Sequence, residues 1–274
     1  MSTFLGMDNA FPSVSCNPVL MSLQIGPALR SGADTLLSRT GAILLVAYAA
    51  LTAALLPLSN TLIVRLYETA GLTEATEAIP LVLDVPLSVA VGGYLLGMLV
   101  GAYLSVVGIR AFVAGGTFPE GALTRNVPLA TGNVVVGGLA YGLLVFLGTM
   151  ALVVPGIIAY VAFVFMLPCV ACEDRNFVNA LRESYRLSRG NWLALGVLVL
   201  IVVSVTGLLG GVGGLVSGLV LPPAAGQLVL AFVTSPGSLF SLAVIATAFT
   251  QLREDAGDDP GGSTPTAETP STPV

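Results

Sequence analysis

Six apolar runs, each close to the length of a bilayer crossing, dominate this chain, and none contains an Asp, Glu, Lys, Arg or His. They occupy residues 41–59, 87–109, 133–154, 156–172, 192 to about 213, and about 227 to 252. Around 20 apolar residues suffice to cross the hydrocarbon core, and a spanning segment must satisfy its own backbone polar groups. The runs therefore read as transmembrane helices. Composition agrees, because only 9% of the 274 residues are charged and 55% are hydrophobic, whereas a soluble domain carries roughly 25% charged residues. The expected fold is an all-α integral membrane protein with six transmembrane helices.

The cations set its orientation. The chain has ten arginines, no lysine and no histidine. Arg30, Arg39, Arg110, Arg125, Arg175, Arg182, Arg186, Arg189 and Arg253 fall in segments on one side of the six-span layout. Arg65 falls on the other, beside Glu68, Glu74, Glu77 and Asp84. Cations flanking spans are retained in the cytoplasm during insertion. Both termini are thus expected in the cytoplasm, with the protein in the cell membrane.

Two joints and two ends complete the layout. Pro155-Gly156 reads as a tight hairpin between the third and fourth runs. The glycine-rich stretch 207–218, Leu221-Pro222-Pro223 and Ser235-Pro236-Gly237 leave 207–237 open to three readings: a loop, a re-entrant segment or an extra crossing. Residues 1–20 are expected to be disordered, and Met21, just before the first patterned segment, is an alternative start. The membrane domain is placed at 21–252. Residues 253–274, acidic and rich in proline, lack the apolar clusters that ordering requires.

A short pattern recurs before three of the spans. Ala180-Leu181-Arg182, Leu187 and Gly190-Asn191 in one copy match Ala122-Leu123, Leu129 and Gly132-Asn133 in another. A third copy, Ala28-Leu29-Arg30 to Gly41, carries a two-residue insertion. The chain thus reads as three repeats of an interfacial helix followed by a transmembrane hairpin. In the last copy Asp174 is the expected helix cap and Gly190 the terminator. Phe177, Leu181 and Tyr185 make an apolar stripe, while Arg182, Arg186 and Arg189 recur at i, i+4 and i+7 beside it. Such a helix is expected to lie in the interface, with its rings toward the acyl chains and its guanidinium groups toward headgroup phosphates. Phe177, Arg182, Tyr185, Arg186 and Arg189 are the candidate lipid-contact residues.

Glycine rows supply the candidate packing positions. Gly93, Gly97 and Gly101 form one row, Gly138 and Gly142 a second, and Gly210 and Gly214 a third; small residues let lipid-embedded helices approach closely. The absence of ionisable residues from the runs argues against a carboxylate-driven pump. Without histidine there is no imidazole base, and neither a G-x-S-x-G elbow nor a P-loop occurs. Cys169 and Cys172 form a C-x-x-C at a span end, with no further ligands for zinc. No catalytic residue, metal or cofactor is expected. The lipid bilayer is the expected partner, with other membrane proteins or a second copy as further candidates, and no nucleic acid.

Pro155-Gly156-Ile157, Pro168, Glu173 and the stretch from Ala180 to Trp192 carry a resemblance. The chain resembles the polytopic membrane domain appended to some bacterial glycerophosphodiester phosphodiesterases, and its stand-alone relatives. The match is closest over 155–193, with Tyr185 where that family usually has Trp and Glu183 where Arg is common. The phosphodiesterase chemistry of those fusions belongs to a separate soluble barrel, so the resemblance implies a membrane domain and no enzyme. Two functions follow as expectations. One is a non-enzymatic scaffold or accessory touching anionic lipid; the other is a permease component for a neutral or lipid-like solute.

Overall fold

The structure is a computed structural model that describes residues 23–257. The expectations for 1–20, for Met21 as a start and for most of the acidic tail lie outside those residues. Everything described is helix or connecting turn. Six helical segments are long and apolar enough to span: Arg39–Thr69, Leu87–Val113, Val127–Ala151, Val154–Glu173, Trp192–Val220 and Pro223–Ala256. In chain order the helices are α1 (Ile25–Leu36), α2 (Arg39–Thr69), α3 (Leu87–Val113), α4 (Val127–Ala151), α5 (Val153–Ala162), α6 (Met166–Glu173), α7 (Phe177–Ser188), α8 (Trp192–Val220) and α9 (Pro223–Gly257).

The helices outrun their apolar runs. A helix hydrogen-bonds its own backbone whatever its side chains are, so it continues past the hydrocarbon until a capping signal stops it. Arg110, Glu173 and Arg253, each one residue beyond a run, consequently sit inside α3, α6 and α9. For the same reason α9 passes through Arg253 to Gly257, beyond the boundary drawn after residue 252.

The open question at 207–237 closes on two continuous helices. The glycines of 207–218 lie within α8, and Pro236-Gly237 lies within α9; the turn between them is Leu221-Pro222. Proline inside a helix removes one backbone hydrogen bond, and small polar side chains cluster there: Ser235 donates to Ala231 O at 2.6 Å, and Ser241 to Gly237 O at 2.9 Å. Gly237 itself is the contact point with α8, since a Cβ there would stand 2.9 Å from the Thr206 methyl.

The fourth span departs from expectation twice. Its hairpin turns at Leu152, which is extended (φ −163°), and Pro155-Gly156 lies in the first turn of α5. Proline is well placed there because a first-turn N–H has no intrahelical partner. Gly156 serves close contact: a Cβ on Gly148 would lie 3.0 Å from the Gly156 backbone, so these glycines let α4 and α5 touch. The second departure is a turn at 163–165 that divides the span into α5 and α6. Nothing in this wholly apolar stretch announces it.

Three consecutive hairpins, α2–α3, α4–α5/α6 and α8–α9, form the bundle, and α9 packs on α1, α2, α3, α6 and α8. The first and third hairpins are preceded by amphipathic helices, α1 and α7. Before the second, residues 119–126 make turns instead, ended by Asn126 in the left-handed region (φ 49°). The threefold layout is thus present in the spans, with a helix leading into two of the three units. Gln24 N–H donates to Gln251 Oε1 at 3.2 Å, so the two ends of the described chain meet at one corner.

The glycine rows divide. Gly93, Gly97 and Gly101 receive Leu58, Leu55 and Leu51 of α2, which is close packing within the chain. Gly210 and Gly214 sit in ordinary contact with Thr234 and Leu230 of α9. Gly138 and Gly142 do not pack at all: open space lies beyond both. The face of α4 turned to the bundle is about 100–140° away from them, marked by Gly137 against Met166 and Phe177.

Candidate functional site

Five arginines and three acids gather at the end of the bundle that holds both ends of the described residues. Arg110, near the end of α3, is the most enclosed of the arginines, at 8% exposure. Its Nε donates to Ala171 O at 2.6 Å, and its Nη1 donates to Ala122 O at 3.1 Å and Arg125 O at 2.8 Å. Those carbonyls belong to the end of α6 and to the turn before α4, where helix hydrogen bonds are missing. Asp174 completes the set, 3.5 Å from Arg110 Nη2 and 2.8 Å from Arg125 Nη2. One guanidinium thereby ties together the second and third spans and the connection that follows the fourth.

Asp174 was expected to cap α7. It cannot, because it is left-handed (φ 51°) and its carboxylate is held by Arg110 and Arg125. Asn176 is the cap, its side chain accepting from Asn179 N–H at 2.9 Å. Asn133 of α4 holds the next turn in place by accepting from Phe177 N–H at 3.1 Å.

Glu183 is the second hub. It accepts from Arg186 at 2.6 Å and forms an ion pair with Arg253 at 2.9 Å, with Arg175 3.9 Å away. Glu173 pairs with Arg175 and Arg253. Burial alone would raise the Glu183 carboxyl, but the Arg186 hydrogen bond and the charges of Arg253, Arg186 and Arg175 outweigh it and hold the group below its ordinary range. Arg175 is held above its ordinary value by its hydrogen bond to Glu173. Arg253 also lies 5.4 Å over the Phe249 ring, and its Nε is buried with no hydrogen-bond partner among the described residues.

The helix α7 docks by a face other than the stripe expected to face inward. Its buried residues are Ala180, Glu183, Ser184, Leu187 and Ser188. Ser184 Oγ accepts from Phe165 N–H at 3.0 Å and donates to Ala162 O at 3.1 Å; Ser188 Oγ donates to the Ala162 and Val161 carbonyls at 3.2 and 3.3 Å. These are backbone groups freed by the turn at 163–165. The two serines, one helical turn apart, supply what the broken helix lacks, and an apolar docking face could not.

The five candidate lipid-contact residues fall on the remaining faces. Arg182, Arg186 and Arg189 are exposed, and among the described residues Arg182 and Arg189 make no ion pair. Phe177 is half-buried against Gly137. Tyr185 is 44% exposed, its ring 6.1 Å from Trp192 and 6.5 Å from Phe163. Tyr and Trp rings with one polar edge favour the level of the headgroups. Cys169 and Cys172 are both free, and no metal-holding group of three His, Cys, Asp or Glu occurs among the described residues.

Two of the cavities near this end involve α8 and α9. One of about 320 Å³ is lined by Arg186, Arg189 and Arg253 with Asn191 and Asp255, over a floor of Leu187 and Leu252. The other, about 130 Å³, is apolar and lies between α5/α6 and the α8–α9 hairpin.

The opposite end is built without such charge. Asn60 Nδ2 donates to Pro80 O at 2.7 Å and Gln227 Oε1 at 2.8 Å, and Thr61 Oγ1 accepts from Leu83 N–H at 2.9 Å. Arg65 pairs with Glu68 at 3.0 Å, both well exposed.

Six spans closed at one end by a shared layer of arginine and carboxylate define a multi-pass membrane protein. Residues 23–252 match a family described as a domain of unknown function (DUF7847), and the chain belongs to it. No curated protein and no solved structure matches the chain.

Proposed function

We propose that this protein is a non-enzymatic scaffold or accessory of the cell membrane, with both termini cytoplasmic, that gathers anionic lipid against the exposed arginines of α7. The reading is carried by one observation: α7 is fixed to the bundle by Ala180, Ser184 and Ser188, and this leaves Arg182, Arg186 and Arg189 turned outward. Guanidinium groups at headgroup level attract anionic lipid by about 1 kcal/mol each. The distribution of arginine supports a cytoplasmic setting for that end by the positive-inside rule. The resemblance to the phosphodiesterase-linked membrane domain supports a membrane role without the barrel's chemistry.

A carrier would be favoured by a helix broken within the membrane at 207–237, and there α8 and α9 are each continuous, with their turn at Leu221-Pro222. The break that does exist, at 163–165, has backbone groups engaged by Ser184 and Ser188. The test is the lipid retained by purified protein from mixed anionic and zwitterionic bilayers. Arg182→Glu with Arg186→Glu is expected to lower the anionic share about fivefold or more, since each reversal removes an attraction and adds a repulsion. Saturable uptake of a neutral solute by proteoliposomes would replace this reading with the carrier.

A further inference from the structure

The apolar cavity and the cavity lined by Arg186, Arg189 and Arg253 share the same helix faces. On α9 the apolar cavity is lined by Ser241, Val244, Ile245 and Ala248, and the arginine-lined one by Leu252, Asp255 and Ala256. Spacings of three and four make these positions one continuous stripe. On α8, Thr206, Val202, Leu198 and Leu195 continue to Asn191 in the same way. The polar cavity therefore stands one helical turn beyond the apolar one, along the same seam. From Leu195 to Thr206 the furrow is about 16 Å long at 1.5 Å per residue. That is close to one leaflet, half of the ~30 Å hydrocarbon core.

We propose that this furrow is a binding site for a single anionic phospholipid, with the phosphate at Arg189 and Arg186 and one acyl chain laid between α5/α6 and α8. The proposal rests on the reading of this end as the side that gathers anionic lipid, and adds to it a discrete site. The charge fits: three arginines and one aspartate line the mouth, a net of +2. Arg189 makes no ion pair among the described residues, so its donors are open to a phosphate. Arg253 contributes field more than hydrogen bonds, because Glu173 and Glu183 already hold it. The apolar channel fits too. Val203, half exposed at its edge, gives a chain lateral entry from the bilayer. Thr206 and Ser241 bond their own helix backbones at 2.9 Å each, which leaves the channel apolar in effect.

Trp192, the chain's single tryptophan, stands one turn from Leu195 at the head of this seam and reports on it directly. The full chain is reconstituted in nanodiscs of phosphatidylcholine, and phosphatidylglycerol with brominated acyl chains is added while Trp192 emission is followed. The expected result is saturable quenching at low mole fraction. Arg189→Gln shifts the midpoint about tenfold, the loss of one charge-assisted hydrogen bond. Val203→Phe, which fills the channel at a lipid-exposed position, removes the saturable phase, while Arg65→Gln at the far end leaves it in place. Quenching that rises in proportion to brominated lipid of either headgroup, indifferent to Arg189→Gln and Val203→Phe, overturns the site. If anionic enrichment then still falls with the Arg182 and Arg186 reversals, the surface reading survives without it. Displacement of the lipid by millimolar inorganic phosphate or glycerol phosphate, with Val203→Phe silent, also overturns it, in favour of a soluble phosphate.

Discussion

The two ends of this bundle solve the same problem with different chemistry. Each must hold several helix termini and connecting turns at a membrane surface, where backbone groups lack helical partners. The arginine end uses guanidinium and carboxylate groups, several of them enclosed. The far end uses an amide and a hydroxyl, Asn60 and Thr61, and leaves its one ion pair to the solvent. Enclosed charge attracts strongly but suffers severely when a partner is removed; exposed pairs such as Arg65–Glu68 are worth ~0–1 kcal/mol. The difference teaches where stability is concentrated, and substitutions can break it in order of size.

Arg110→Ala should have the largest effect. It leaves three backbone carbonyls without their donor and Asp174 to Arg125 alone, and each enclosed group left unsatisfied typically costs ~1–3 kcal/mol. Denaturant unfolding in detergent checks it, with Arg110→Lys a partial rescue, since an ammonium cannot reproduce the guanidinium fork. Asn60→Ala, at the other end, should cost about 1–3 kcal/mol by leaving the Pro80 carbonyl and the Gln227 amide unsatisfied. If the two costs proved equal, the contrast between charged and neutral closure would be wrong. Acid is the finest probe. Glu183 is held below its ordinary value of 4.5. Its stabilising contribution is therefore complete above that value and is lost as pH falls through the lower, folded one. Stability should decline below about pH 4.5, and Glu183→Gln should flatten that decline; Asn60→Ala should leave its slope unchanged.

Much of this architecture is legible in the sequence, for a physical reason. Spanning helices announce themselves by composition alone, so all six runs correspond to helical spans. The ends of those helices are less legible, because hydrogen bonding continues past the apolar stretch. The charged layer did leave a trace: Arg110, Glu173 and Arg253 each occupy the first position after an apolar run. Reading them as flanking charge captures topology and misses that they converge, since convergence depends on three hairpins packing. The turn at 163–165 was invisible for a related reason. Its cause lies in Ser184 and Ser188, about 20 residues on, and no local property of Phe163-Val164-Phe165 marks it. The same serines decide which side of α7 faces the bundle, a face that the pattern of rings toward acyl chains and arginines toward headgroups leaves unassigned.

The contact between Gln24 and Gln251 gives the domain an unusual wiring. The matched family region, 23–252, opens and closes almost on that pair. The two boundaries of the membrane body thus stand at a single corner, beside α1 and near the end of α9. Joining the chain across that corner while reopening it at Leu221-Pro222 would reorder the sequence while asking no helix to move.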